Sequence, residues 1–323
     1  MSKNYIFTYD KNFPGVARKA IEHTSIDGKL AIASVFSSDS DFRKYASLNT
    51  FVEHFFANTL EYPTLFHYTD LNGLKGILQS HQILITSQYY MNDPKENVFV
   101  TELALDYLKL DNRLNENDLA NFERSFHQAI FDIYVWSFTN SNHSPALANP
   151  EYGDFALEFK NKELQSDMGN DLNNRHQDLY KLPYEDNLVF PLKVEYNLEN
   201  QKKYIEPIMK TWKHAYLSYK NDKYNLGMDK IMIACYKALT LCSLCFKSSD
   251  WQEEKEIRFV VWRTSKVLNS CHPDLMIKNK PKIIYKFNPK MLKGITCNNK
   301  VIDKSKIRRL LIENGFYNVG ITE

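Results

Sequence analysis

The stretch IMIACYKALTLCSLCF, from Ile231 to Phe246, constrains the fold of this chain more than any other. It falls short of the roughly 18 apolar residues needed to span a bilayer, and it carries Lys237. A helix that is apolar on every side has to be surrounded by protein. The rest of the chain must therefore build a core around it. At 323 residues, 43% of them hydrophobic, it has the means to do so as one large domain or two smaller ones. The 25% charged fraction and ordinary Gly and Pro content exclude disordered and fibrous classes.

The opening residues MSKNYIFTYDKNFPG lack the apolar segment of a secretory signal. Together with five cysteines (Cys235, Cys242, Cys245, Cys271, Cys297), this points to reduced thiols in a cytoplasmic protein that makes no membrane contact. The C-x-x-C spacing of Cys242 and Cys245 is that of a zinc ligand pair. It sits inside the apolar run, however, and Cys271-His272 is its only companion, so buried core thiols are the better reading.

Periodicity predicts an α+β chain in which residues 1–60 are a helical N-terminal extension and residues 61–323 a single domain. Strands are expected near Leu65–Tyr68, Ile83–Tyr89, Ile133–Thr139, Asp154–Lys160, Leu188–Tyr196, Glu256–Trp262, Lys282–Phe287, Lys293–Cys297 and Asn318–Ile321. Helices are expected near Leu71–Gln79, Lys95–Leu108, Asp118–Asp132, Asn200–Lys220, Asp229–Phe246 and Lys304–Asn314. Asp93, Pro94 and Glu96 fit a capping box, and Gln165–Glu185 reads as a long loop or frayed helix.

No phosphate-binding G-x-x-x-x-G-K-[ST] loop, G-x-G-x-x-G turn, G-x-S-x-G elbow or H-E-x-x-H helix occurs. Two constellations remain. His67-Tyr68-Thr69 lies where a strand hands over to a helix capped by Thr69 or Asp70, and an imidazole there can bond ribose hydroxyls while Tyr89 or Tyr90 stacks on a flat ring. In WQEEKEIR, strand alternation puts Glu254, Glu256 and Arg258 on one face and Ile257, Phe259 and Val261 on the other. That pattern is either a solvent-facing ion pair worth little or a carboxylate held by arginine and aimed at developing positive charge. Separately, Lys278–Arg309 holds eleven Lys or Arg against Asp303 alone, a charge excess that suits phosphates or simple solvation.

FHYT with L-x-G-L-x-x-I-L, NDP-x-E, WSFT, G-D-F-A-L-E-F and W-x-x-E-K-E-I-R resemble a widespread bacterial family labelled only as a domain of unknown function, from about Leu65 to the C-terminus. The family pattern has a Met-Trp pair and a His-rich segment where this chain reads PALANPEYGDF, and Phe before NDP where this chain has Met91. More distantly, the H-Y-T strand, the I-L-x-S helix end and the late E-x-E strand resemble the ADP-ribosyltransferase fold, with its split antiparallel or mixed sheet and flanking helices.

That second resemblance implies NAD as substrate, with His67, beside Tyr68 and Thr69, on a ribose, Tyr89 or Tyr90 on nicotinamide, and Glu256 at the nicotinamide ribose. Glu256 would stabilise an oxocarbenium-like transition state. Glu254 would position the acceptor nucleophile, and Arg258 or Lys255 would hold pyrophosphate or orient the glutamates. The partners implied are a macromolecular acceptor of ADP-ribose, protein or nucleic acid, and, for a toxin or phage-defence effector, a neutralising or regulatory protein. Two rival readings stay open from the residues: nucleotide or nucleic-acid binding by the basic C-terminal face, and a metal-dependent nuclease using Glu254, Glu256 and Asp93.

Overall fold

The computed structural model describes residues 21–91, 94–129, 131–149, 152–174, 187–222, 227–263, 273–299 and 303–323. Helices α1 (Ile26–Phe36), α2 (Asp41–Ala46) and α3 (Leu48–Phe55) come first, then β1 (Thr64–Thr69), α4 (Leu71–Ser80), β2 (Gln82–Ser87), α5 (Pro94–Leu108), α6 (Glu116–Gln128) and β3 (Ile133–Thr139). The middle of the chain forms β4 (Phe155–Lys160), α7 (Asn161–Asn174), β5 (Asn187–Lys193), α8 (Leu198–Asn221), α9 (Met228–Cys245) and β6 (Glu256–Arg263). The end supplies β7 (Leu275–Ile277), β8 (Lys280–Lys286), β9 (Leu292–Cys297), α10 (Lys304–Glu313) and β10 (Gly320–Thr322).

The apolar run becomes α9, entered through Gly227 in the left-handed region at φ 72°, where a side chain would be strained. Its buried residues Cys235, Leu239, Cys242 and Leu244 join a core that also takes Phe51 and Phe55 of α3, Trp212 of α8 and Val260 of β6. The described N-terminal helices thus pack into the same core as α8 and α9. Ile257, Phe259 and Val261 of β6 enter a second core on the other face, with Trp136, Phe138, Leu164, Met168, Ile307 and Leu311. Period-two alternation therefore feeds both cores from one strand, and every residue of β6 is buried.

The class is α+β, with an open mixed sheet of ten strands flanked by helices. Most pairs are antiparallel, and β9 and β10 run parallel. β3 pairs along its length with β6, from Ile133 opposite Trp262 to Thr139 opposite Glu256. Its other edge is shared. β1 meets it at Thr139, through Phe66, and β2 meets it at Val135 and Tyr134, through Thr86 and Ser87. Between these two junctions the sheet opens beside Trp136, Ser137 and Phe138, and α4 connects the strands that flank the opening.

Several expectations need correction. The strand expected to reach Tyr89 stops at Ser87 and turns into a short 3-10 helix over Gln88–Tyr90. Of the two readings of Gln165–Glu185, loop or frayed helix, the described part is helical: it begins inside α7, which starts directly after β4 and contributes Leu164, Met168 and Leu172 to the core. Its polar remainder, residues 175–186, lies outside the described residues, as do Asp93 of the expected capping box, Cys271 and His272. α6 ends at Gln128, earlier than Asp132, and is fixed at its start by a capping box between Asn115 and Asp118. The short strand β7 gave no periodic signal because Met276 and Ile277 are both partly exposed.

Candidate functional site

A cavity of about 740 Å³ fills the opening between β1 and β2. It gathers His67, Tyr68 and Thr69 from β1, Gly73 and Gly76 from α4, Thr86 from β2, Tyr90 from the turn, and Trp136 and Ser137 from β3. From the far part of the chain it gathers Lys247, Glu254 and Glu256. The two sequence constellations, separated by most of the chain, therefore share one cavity.

At the β1 wall, His67 Nδ1 lies 3.0 Å from the Ser137 carbonyl oxygen. Since a carbonyl only accepts, Nδ1 carries the proton and Nε2 is left as an acceptor. Burial pushes the imidazole down to about 4, partly offset by this bond, so the ring is neutral near pH 7. It packs edge-on to Trp136 at 5.3 Å between centroids. The indole N–H of Trp136 is fully buried and has no acceptor among the described residues, and a buried donor left unpaired costs ~1–3 kcal/mol.

Tyr68 has a different task. Its hydroxyl accepts from the Ser144 N–H at 2.7 Å and donates to the Ser141 carbonyl at 3.3 Å, tying the loop after β3 to β1. Gly153 brings the other end of that loop against β1: at φ 109°, an added Cβ would stand 2.2 Å from the Thr69 carbonyl carbon. Asp70, and not Thr69, caps α4, its carboxylate accepting from Gly73 N at 2.6 Å.

The two tyrosines after β2 separate cleanly. Tyr89 turns away, donating to the Ala129 carbonyl at 3.5 Å and accepting from Phe131 N at 3.0 Å. Tyr90 lines the cavity and is 43% exposed.

On the opposite wall the charges are buried. Arg258 clamps Glu256 with Nε to Oε1 at 3.0 Å and Nη2 to Oε2 at 2.8 Å, and Nη1 is taken by the Leu244 carbonyl at 3.2 Å. Lys247 Nζ reaches Glu254 Oε2 at 2.6 Å and Glu256 Oε2 at 3.5 Å. Burial works to raise the Glu256 carboxyl, but Arg258 and Lys247 outweigh it and hold the group well below the usual carboxylate range. Glu254 also accepts from the Tyr152 hydroxyl at 3.4 Å. The surface ion pair weighed from the sequence is thus a desolvated cluster, in which breaking one pair is costly.

Glu256 and Arg258 share a face, as alternation requires. Glu254 does not belong to the strand. It ends a 3-10 turn over Ser249–Glu254, and Lys255 at φ 45° bends the chain into β6. Glu254 thus reaches the same cavity as Glu256, as expected, but through this bend and not through strand alternation. Lys255 is exposed and does not line the cavity, and Arg258 spends its guanidinium on protein oxygens, so neither is placed to hold pyrophosphate. Sequence reasoning missed Lys247, Ser137 and Tyr152. The one usable signal was Lys247 itself, a lone cation directly after the apolar run and just before the acidic WQEE segment.

Within the basic stretch, Lys293, Lys304 and Arg309 pair with Glu163, Glu323 and Glu313. The cysteines of α9 are buried, and burial pushes the Cys235 and Cys245 thiols up. Among the described residues no group of three or more His, Cys, Asp or Glu side chains is arranged to hold a metal ion, and no helix is long and apolar enough to cross a membrane.

Residues 146–259 match the family model described as Protein of unknown function (DUF2971), which supports the domain-of-unknown-function family that the motifs resembled. G-D-F-A-L-E-F and W-x-x-E-K-E-I-R fall inside the matched stretch, and FHYT and NDP-x-E fall outside it. No curated protein and no solved structure matches the chain.

Proposed function

We propose that this protein is an ADP-ribosyltransferase-like enzyme that takes NAD into the cavity between β1 and β2, cleaves its nicotinamide glycosidic bond and passes ADP-ribose to a macromolecular acceptor. The observation that carries the reading is the meeting of His67 and Tyr90 with Glu254 and Glu256 in one cavity of nucleotide size. In the reaction the bond between ribose C1′ and the nicotinamide nitrogen breaks, its electron pair leaves with nicotinamide, and positive charge spreads over C1′ and the ring oxygen. A nucleophile then bonds to C1′ and gives up its proton.

Each wall has a part in that chemistry. The neutral His67 offers Nε2 to a ribose hydroxyl, and Tyr90 offers a ring face to nicotinamide. Glu256, kept ionised and fixed by Arg258, faces the charge that develops only in the transition state. Glu254, between Lys247 and Tyr152, positions the acceptor nucleophile. A role as toxin or phage-defence effector, with a neutralising partner, would follow from the same chemistry directed at an essential acceptor.

The test is release of free nicotinamide from NAD by purified protein, with and without cell extract as acceptor, comparing wild type with Glu254→Gln and Glu256→Gln. Thermal unfolding of the same samples separates lost chemistry from lost structure. Release that disappears in a variant that is still folded supports the reading. Absence of both NAD binding and release in wild type sinks it and leaves a non-catalytic binding protein as the better account.

A further inference from the structure

We propose that Thr86, which lines the cavity, and Lys282, bonded to it, bind the phosphates of the dinucleotide. This rests on the reading of NAD as the ligand, and it answers a deficit that the cavity itself presents. Its lining carries Asp70, Glu254 and Glu256, while Lys247 is shared between the two glutamates and Arg258 behind them is committed to Glu256 and to main-chain oxygens. A pyrophosphate needs a cation that the cavity's own carboxylates have not claimed.

Lys282 meets that need. Its Nζ donates to Thr86 Oγ1 at 2.7 Å, and Thr86 lines the cavity. Thr86 accepts in that bond and keeps its own hydroxyl proton to donate, so ammonium and hydroxyl form adjoining donors. Thr86 stands directly opposite Lys282 across the β2–β8 ladder, and Leu84 opposite Ile284. The donors therefore lie beside an apolar pair on the same sheet face. Among the described residues Lys282 takes part in no ion pair. It is half-buried, and burial together with Lys280 lowers its pKa, the response of an ammonium short of counter-charge.

The experiment is calorimetric titration with ADP-ribose and, separately, with nicotinamide riboside, which lacks the pyrophosphate. Wild type, Lys282→Gln and Lys282→Arg are compared at two salt concentrations, after their thermal unfolding has been shown to agree. Lys282→Gln is expected to weaken ADP-ribose about tenfold, the size of one charge-assisted contact, and to flatten its salt dependence. Lys282→Arg should restore most of the affinity, and nicotinamide riboside should bind all three proteins alike. Equal ADP-ribose affinity in wild type and Lys282→Gln, or no ADP-ribose binding by wild type, overturns the assignment. Lys282-dependent ADP-ribose binding without nicotinamide release would keep the phosphate site and overturn NAD cleavage. Nicotinamide release with Lys282-independent affinity would do the reverse.

Discussion

Arg258 holds both carboxylate oxygens of Glu256 from two residues further along the same buried strand, at 3.0 and 2.8 Å. A planar guanidinium fits a carboxylate through two parallel bonds, so the pair fixes the orientation of Glu256 as well as its charge. The arrangement has an asymmetric consequence. Arg258→Met leaves Glu256 buried without its guanidinium, held by the longer contact to Lys247 and by the Ser137 side chain, and is expected to cost ~3–5 kcal/mol. Glu256→Gln keeps an oxygen that can accept from Arg258 and should cost less. Urea unfolding of both variants checks the order, and equal losses would mean that the clamp does not organise the site.

His67 should make the fold acid-sensitive before the carboxylates do. Its folded pKa of about 4 lies below the ordinary value of 6.5, so the unfolded chain binds the proton first as pH falls. Stability contributed by the neutral ring is complete above pH 6.5 and is lost progressively as pH drops toward 4. Urea midpoints measured between pH 7 and 4.5 should fall in wild type and fall less in His67→Gln. Parallel curves would show that burial does not hold the imidazole neutral.

These two residues also mark how far the sequence was legible. The alternation of EIRFVVW carried enough information to put Glu256 and Arg258 on one face, because period two holds wherever a strand is regular. It grouped Glu254 with Glu256 rightly but by the wrong geometry, since Lys255 adopts a left-handed conformation that no periodic rule anticipates. His67 was legible as a strand-end histidine, but its partner is a main-chain carbonyl of β3, and a main-chain group leaves no trace in residue types. The opening between β1 and β2 was equally hidden, since it depends on how two strands divide one edge of a third.

Gly76 offers a way to close the cavity without touching a charge. It lies inside α4 and lines the cavity, and a Cβ built there meets nothing within 4 Å. Gly76→Ala should stabilise the protein by ~0.5–1 kcal/mol, because alanine loses less backbone freedom in a helix. Gly76→Leu should keep most of the stability while filling the space a ligand needs, so ADP-ribose affinity is expected to fall at least tenfold. Thermal unfolding and calorimetry on the two variants test both halves. Unchanged binding in Gly76→Leu would show that ligands do not pass along α4.

Adjacent tyrosines at the end of β2 should respond in opposite ways. Tyr89 joins the turn to the segment before β3 through Ala129 and Phe131, so Tyr89→Phe removes an acceptor from the Phe131 N–H and should cost ~1 kcal/mol of stability. It leaves the cavity lining intact, so ligand affinity should hold. Tyr90 lines the cavity and is 43% exposed, so Tyr90→Ala should change the unfolding midpoint little. If the ring stacks on a flat heterocycle, that variant loses ~1–3 kcal/mol of binding, by analogy with base stacking on aromatic side chains. Tyr90→Phe, which keeps the ring and drops only the hydroxyl, should retain affinity. Loss of affinity in Tyr90→Phe as large as in Tyr90→Ala would assign the contact to the hydroxyl, and the stacking role would fall.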